Sequence, residues 1–311
     1  MYDAGKATLK TRSGAVILCS VPEDNGRKLT SLTGSVQGSV SLHVYQINNG
    51  YMKIYQADAF TDKVFSGNPA AICPLSEWLP AERMQQIAME NNLSETAFVV
   101  KNKGYYEIRW FTPFVEVDLC GHATLAAAFV LFNYEGCHGN TIRFVSHISG
   151  ELGVSRKGEW LTLNFPADDL KHIALSAEIT EGLNIKPREA YEGRSDILFV
   201  FDDEDQILGL LPDYSLLSKL DARGIIVTAP GSKSDFVSRF FGPKVGINED
   251  PVTGSAHTTL TPYWSQRLNK EVLTAIQLSS RKGYLRCRAA GRRVEISGKC
   301  RLFMQGQYII D

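Results

Sequence analysis

No stretch of eighteen apolar residues occurs anywhere in the chain, so no segment reads as a membrane-spanning helix. Nor is there an excess of one charge: 33 Lys and Arg stand against 34 Asp and Glu, a net charge of −1. That balance removes the electrostatic case for nucleic acid or an anionic membrane surface as partner. Cysteine is sparse. Cys19, Cys73, Cys120, Cys137, Cys287 and Cys300 are scattered without paired spacing. In a chain this large they read as reduced thiols of a cytoplasmic protein, not as a disulfide framework. The spacings of Cys120, His122, Cys137 and His138 match no usual zinc site, so no metal is expected. Neither a Walker sequence nor a Gly-x-Gly-x-x-Gly opening a helix is present, which leaves nucleotide binding without a motif. Low-complexity tracts are also absent. What is present is ample apolar material: 44% hydrophobic residues in 311, enough for two lobes with cores of their own.

Residues 1–51 are rich in Ser, Gly, Thr and Asn and carry only short apolar pieces such as 15–18. They lack the long apolar core of a secretory signal. They read as an N-terminal extension or tag remnant outside the folded core, which begins at Met52. From there strands and helices alternate. Residues 54–60 read as a strand, 67–69 as a turn, and 81–91 as a helix with Met84, Ile87 and Ala88 on one face. Residues 96–101 and 105–111 read as a hairpin. The almost wholly apolar run 123–134 predicts a helix buried on all sides. Strands follow at 142–145, 151–155 and 160–165, and 166–169 reads as a crossover. Beyond it, strands are expected at 197–201, 224–228 and 236–241, helices at 215–220 and 258–268, and a strand-rich tail from 272 to 310.

Two stretches repeat one pattern. Arg109-Trp110-Phe111-Thr112-Pro113 leads to Cys120-Gly121-His122-Ala123-Thr124 and the apolar run. Arg239-Phe240-Phe241-Gly242-Pro243 leads to Asp250 and Gly254-Ser255-Ala256-His257, followed by the second helical run. We read this as an internal duplication with one helix N-terminus from each half aimed at a shared cleft. A helix start offers unpaired N–H groups and a positive dipole end, a natural seat for a carboxylate. The competing reading is an ordinary capped helix, since Asp, Thr and Ser are good caps.

Six ordered blocks carry a family resemblance: Phe60-Thr61, Phe65-Ser66-Gly67-Asn68-Pro69-Ala70-Ala71, Asn92-Leu93-Ser94-Glu95-Thr96-Ala97-Phe98, Arg109 to Pro113, Cys120 to Thr124, and Glu249 to His257. Together they resemble the PhzF-like, phenazine-biosynthesis-like family, related to the diaminopimelate epimerase fold. The resemblance implies an α+β protein of two similar lobes related by duplication, each a curved, mostly antiparallel sheet wrapped around a central helix. Lobe 1 would span 52–165 and lobe 2 166–311, with the C-terminal strand free to return to lobe 1. It further implies cofactor-independent proton-transfer isomerisation on a small carboxylate-bearing metabolite, and a homodimer. Residue by residue, Glu95 would be the general acid/base. Asp250 and His122 would be catalytic partners from the two halves, while Gly121, Gly254 and Ser255 would hold the substrate carboxylate. Asn68 and Ser94 are weaker candidates for the same cleft. Burial that raises the pKa of a carboxyl toward neutrality suits such a base.

Cys120 stands where two-cysteine epimerases of this fold carry one thiol, and 250–254 holds no second one. A two-thiol racemisation is therefore not expected, and Cys120 reads as a small buried residue. The alternative function is a non-catalytic small-molecule-binding or interaction protein that keeps the fold.

Overall fold

The computed structural model describes residues 6–10, 16–20 and 51–309. The chain divides into two compact units, 1–49 and 50–311. In the first, β1 (Lys6–Lys10) and β2 (Val16–Ser20) pair antiparallel.

The second unit begins with β3 (Tyr51–Ala59), β4 (Asn68–Leu75), α1 (Ala81–Asn91), β5 (Glu95–Lys101), β6 (Tyr106–Phe111), β7 (Glu116–Val117) and α2 (Gly121–Asn133). Then follow β8 (Thr141–Ser146), β9 (Gly150–Lys157) and β10 (Trp160–Pro166). The later half holds β11 (Lys171–Ile173), α3 (Ala177–Thr180), β12 (Glu189–Glu192), β13 (Asp196–Val200), α4 (Glu204–Leu208), α5 (Tyr214–Leu217), β14 (Gly224–Pro230) and β15 (Phe236–Phe241). A 3-10 turn (Pro243–Val245), α6 (Ala256–Leu268), β16 (Val272–Gln277), β17 (Gly283–Ala290), β18 (Arg293–Gly298) and β19 (Cys300–Ile309) complete it.

Both halves pair their strands in one order. In the first, β19, β3 and β4 run antiparallel, β4–β5 parallel, β5–β6 antiparallel, β6–β8 parallel, and β8, β9 and β10 antiparallel. In the second, β11, β12 and β13 run antiparallel, β13–β14 parallel, β14–β15 antiparallel, β15–β16 parallel, and β16, β17 and β18 antiparallel. The duplication read from two short motifs therefore extends through the whole ladder. β10 pairs with β18 to join the lobes, and β19 returns to β3, so the last strand belongs to the first lobe's sheet.

Each sheet encloses one helix. α2 is buried all round except at Gly121, Phe129 and its last residue Asn133, as its apolar sequence requires. α6 contains Pro262, which cannot donate to the Thr258 carbonyl four residues back. That carbonyl instead accepts from the Asp168 amide at 3.1 Å, pinning the crossover between the lobes to α6. The repeated Arg-aromatic-Phe motif has a matching structural cause. Arg109 grips Glu116 through Nε (2.7 Å) and Nη2 (2.6 Å) and lies 5.3 Å from the Phe111 ring centre. Arg239 grips Glu249 at 2.7 and 3.0 Å and lies 4.9 Å from the Phe241 ring centre. Each fork fixes the chain leading toward its helix.

Several expectations shift: the strand expected at 54–60 is Tyr51–Ala59, which takes in Tyr51 and leaves Phe60 out, and the helix expected at 258–268 begins at Ala256. Asn68 opens β4 rather than sitting in a turn, and the helix expected at 215–220 is the shorter α5. The strand expected at 197–201 begins one residue earlier at Asp196, and Phe201 lies outside it. The loop before β4 is strained: Phe60, Phe65 and Gly67 have φ of 62°, 64° and 69°. A Cβ on Gly67 would lie 2.1 Å from the Ala59 carbonyl oxygen. Gly67→Ala is therefore expected to cost about 2–4 kcal/mol. A urea midpoint within error of the native one would contradict this.

Candidate active site

The parallel pairing of β4 with β5 sets Glu95 beside Ala70, two residues beyond Asn68. β5 is buried from Glu95 through Val100 because sheet neighbours and helices cover both faces, so its first side chain is buried too. His122 lies in the first turn of α2, and its Nε2 stands 3.1 Å from Glu95 Oε2. The approach is short, but neither atom has an aligned hydrogen bond. Burial pushes the Glu95 carboxyl up to about 8, with the Asp250 charge adding to the effect. Burial also pushes the His122 ring down to about 3. Near neutrality the pair is thus a carboxylic acid facing a neutral imidazole, not an ion pair.

Asp250 arrives from the other half. Its carboxylate accepts from Asn68 Nδ2 at 2.8 Å and from the Thr253 hydroxyl. Asn68 spends its second amide hydrogen on the Val252 carbonyl at 2.9 Å, so its 3.3 Å approach to His122 Nδ1 is a contact only. Burial raises the Asp250 pKa, while the Thr253 and Asn68 bonds oppose the rise. Gln277 braces the loop: Nε2 donates to the Asp250 carbonyl and Oε1 accepts from the Thr253 amide, at 2.9 and 2.8 Å.

The two helix starts meet as the duplication predicts. A Cβ on Gly121 would lie 3.8 Å from Gly254 Cα, and one on Gly254 would lie 3.8 Å from Gly121 Cα. Neither α2 nor α6 carries a side-chain cap, which disposes of the ordinary-cap reading. Ser255 precedes α6, and its Oγ accepts from Arg223 Nη2 at 3.1 Å, which leaves the hydroxyl hydrogen free to donate elsewhere. Arg223 is itself held by Asp196 through Nε at 2.9 Å.

Glu95, His122, Asn68 and Asp250 therefore come together from both halves, with Gly121 and Gly254 beside one another. Ser94 is half-buried and makes no hydrogen bond to the cluster among the described residues. Thr253, Gln277 and Arg223 belong to the surroundings; Thr253 lies within the block from Glu249 to His257 without a role assigned to it there, while Gln277 and Arg223 carry no local motif. His257 is fully buried; its Nδ1 meets the Thr253 carbonyl at 2.9 Å, and its ring packs on Phe236. Burial lowers its pKa to about 4, the condition of a neutral core histidine. Cys120 is buried as expected, yet its Sγ lies 3.4 Å from His122 Nδ1. A cavity of about 490 Å³ lies elsewhere in the second half, lined by Ile173, Ile197, Leu216 and Leu220 among others, away from these groups.

Among the described residues, no helix is long and apolar enough to cross a membrane. The sequence profile described as phenazine biosynthesis-like protein matches residues 57–306. An uncharacterized isomerase of Pseudomonas aeruginosa is 54% identical over 255 residues, 82% of this chain and 98% of that protein. A PhzF-family crystal structure from Enterococcus faecalis is 50% identical with a TM-score of 0.82, covering 84% of this chain and 100% of that one. A putative PhzC/PhzF protein from Clostridium difficile is 47% identical with a TM-score of 0.79, covering 83% and 100%. With a match of this extent over the two-lobed core, the chain belongs to the phenazine biosynthesis-like, PhzC-PhzF family.

Proposed function

We propose that this protein is an isomerase that moves a proton on a small carboxylate-bearing metabolite, without a cofactor, using Glu95 as general acid and base. The observation that carries the reading is a buried carboxyl, held near a pKa of about 8, 3.1 Å from a neutral histidine and beside two uncapped helix starts. The relatives named as isomerases support the same class of reaction.

The helix N–H groups around Gly121 and Gly254, with the Ser255 hydroxyl, bind the substrate carboxylate. Negative charge that develops on oxygen as a neighbouring C–H loses its proton meets donors already in place. Glu95 in its ionised form takes that proton, holds it as the carboxylic acid, and returns it to another carbon. Its raised pKa brings it close to working pH, where a base gives both strength and population. His122, uncharged, hydrogen-bonds the reacting group without adding a competing charge. Asp250 orients Asn68 and keeps Glu95 reluctant to ionise until substrate arrives. One carboxyl working alone favours a hydrogen shift over the two-base inversion of a thiol pair.

The test is incubation in D₂O with pools of small amino, hydroxy and unsaturated acids, read by mass spectrometry. Gain of one mass unit at a single carbon of one compound class is expected. Tight binding of an acid with no exchange at any carbon would favour the non-catalytic alternative. In the free enzyme kcat/KM is expected to rise with pH through about 8 as Glu95 ionises. A flat profile between pH 6 and 9 would count against Glu95 as base.

A further inference from the structure

Glu95, Cys120 and His122 form a compact group whose donor atoms all lie within 4.8 Å of one another. The sequence hides it, because Glu95 opens a strand while Cys120 and His122 straddle the start of α2. Glu95 Oε2 and His122 Nε2 are both buried and neither has a hydrogen-bond partner. These two atoms stand 3.1 Å apart without an aligned hydrogen bond, and the Cys120 thiol contacts both Glu95 and His122 Nδ1, so an acid, a thiol and an imidazole share one buried place with donor capacity left over.

We propose that Glu95, Cys120 and His122 bind a single thiophilic divalent cation, zinc by preference, and that the bound ion reversibly arrests the site. The donor set is one oxygen, one nitrogen and one sulfur, which suits zinc and its neighbours and is poor for magnesium or calcium. Tetrahedral zinc bonds of roughly 2.0–2.3 Å place donors about 3.3–3.8 Å apart, so side-chain adjustment of about 1 Å closes the ring. Three protein ligands leave a fourth position for water. On binding, the Cys120 S–H bond and the Glu95 O–H bond both break, the two protons pass to solvent, and the thiolate sulfur and carboxylate oxygen bond the ion beside the neutral His122 nitrogen, with no change of oxidation state. The ion occupies the Glu95 oxygen and the His122 lone pair together, so substrate and metal exclude each other. The arrest rests on the isomerase reading, whereas the metal binding does not and is measured without a substrate.

Chelator-treated full-length protein is titrated with Zn²⁺ by calorimetry, and with Co²⁺ while thiolate-to-cobalt absorbance near 340 nm is followed. One equivalent is expected at micromolar Kd or tighter, with a cobalt–thiolate band. Cys120→Ser should abolish the band, and both Cys120→Ser and His122→Asn should raise Kd at least 100-fold. Cys137→Ser, at a half-exposed thiol outside the group, should change neither. Binding no tighter than millimolar in the native protein would overturn the proposal. So would native affinity or an unchanged band in Cys120→Ser, or native affinity in His122→Asn. Should Cys120→Ser fail to fold, Cys120→Ala and the native cobalt spectrum decide instead: a spectrum without the thiolate band overturns it.

Discussion

Asp250→Asn is expected to lower turnover by about 10²–10⁴-fold and to move the rise of kcat/KM with pH to a lower value. The carboxylate accepts from both Asn68 and Thr253, and an amide can accept through only one of its two terminal atoms. With the amide oxygen toward Asn68, the amide nitrogen meets the Thr253 hydroxyl, which must accept instead of donate, and both bonds lose their charged partner. The weakened bond is that of Asn68, which lies against His122. The charge effect is separate and more diagnostic. The Asp250 charge is the second cause, after burial, of the raised Glu95 pKa. Without it Glu95 ionises more easily, so the profile shifts toward acid while its maximum falls. A lower rate with an unshifted profile would mean that Asp250 acts only through packing.

Glu95→Gln should reduce proton exchange by at least about 10³-fold while preserving the fold, because the amide has the carboxyl's shape but cannot carry the proton. Its effect on stability has the opposite sign at high pH. Folded Glu95 keeps its proton up to about pH 8, whereas the unfolded side chain releases it near the ordinary 4.5. Between those values the folded state holds the extra proton, so stability falls as pH rises, and above about 8 the full loss is present. Gln removes that dependence. The variant is expected to equal the native protein near pH 5 and to exceed it in melting temperature at pH 9. His122 contributes in the other direction, its share being lost as pH falls from about 6.5 toward 3, so the comparison belongs on the alkaline side. A variant that melts earlier at pH 9 would show that Glu95 is a stabilising charge and not a suppressed one.

Helix α1 runs over the residues its periodicity marked, with Met84, Ile87 and Ala88 buried, and α2 is enclosed because its sequence has no polar face. Such signals are local and survive in a single sequence. The short elements α3, α4 and β12 were not legible, since four or five residues complete neither a helical period nor a strand alternation. The site divides along the same line. Glu95, His122, Asp250 and Asn68 stand in recognisable blocks, although Asn68 meets Asp250 only across 182 residues, whereas Gln277 braces Asp250 from 27 residues away without any motif. Arg223 carries no motif at all; its link to Ser255 arises only when β13, β14 and the start of α6 converge. Cys120 was legible as buried but not as a neighbour of the acid and the histidine, because its closeness to Glu95 depends on how β5 meets α2.

The most direct measurement is solvent-deuterium wash-in by native protein and Glu95→Gln side by side, with the compound class that first exchanges and both proteins checked for fold by circular dichroism. Label at one carbon is expected with the native protein, and at least about 10³-fold slower incorporation with the variant, at every pH from 6 to 9. Incorporation by Glu95→Gln at a rate within tenfold of the native protein would show that another group moves the proton.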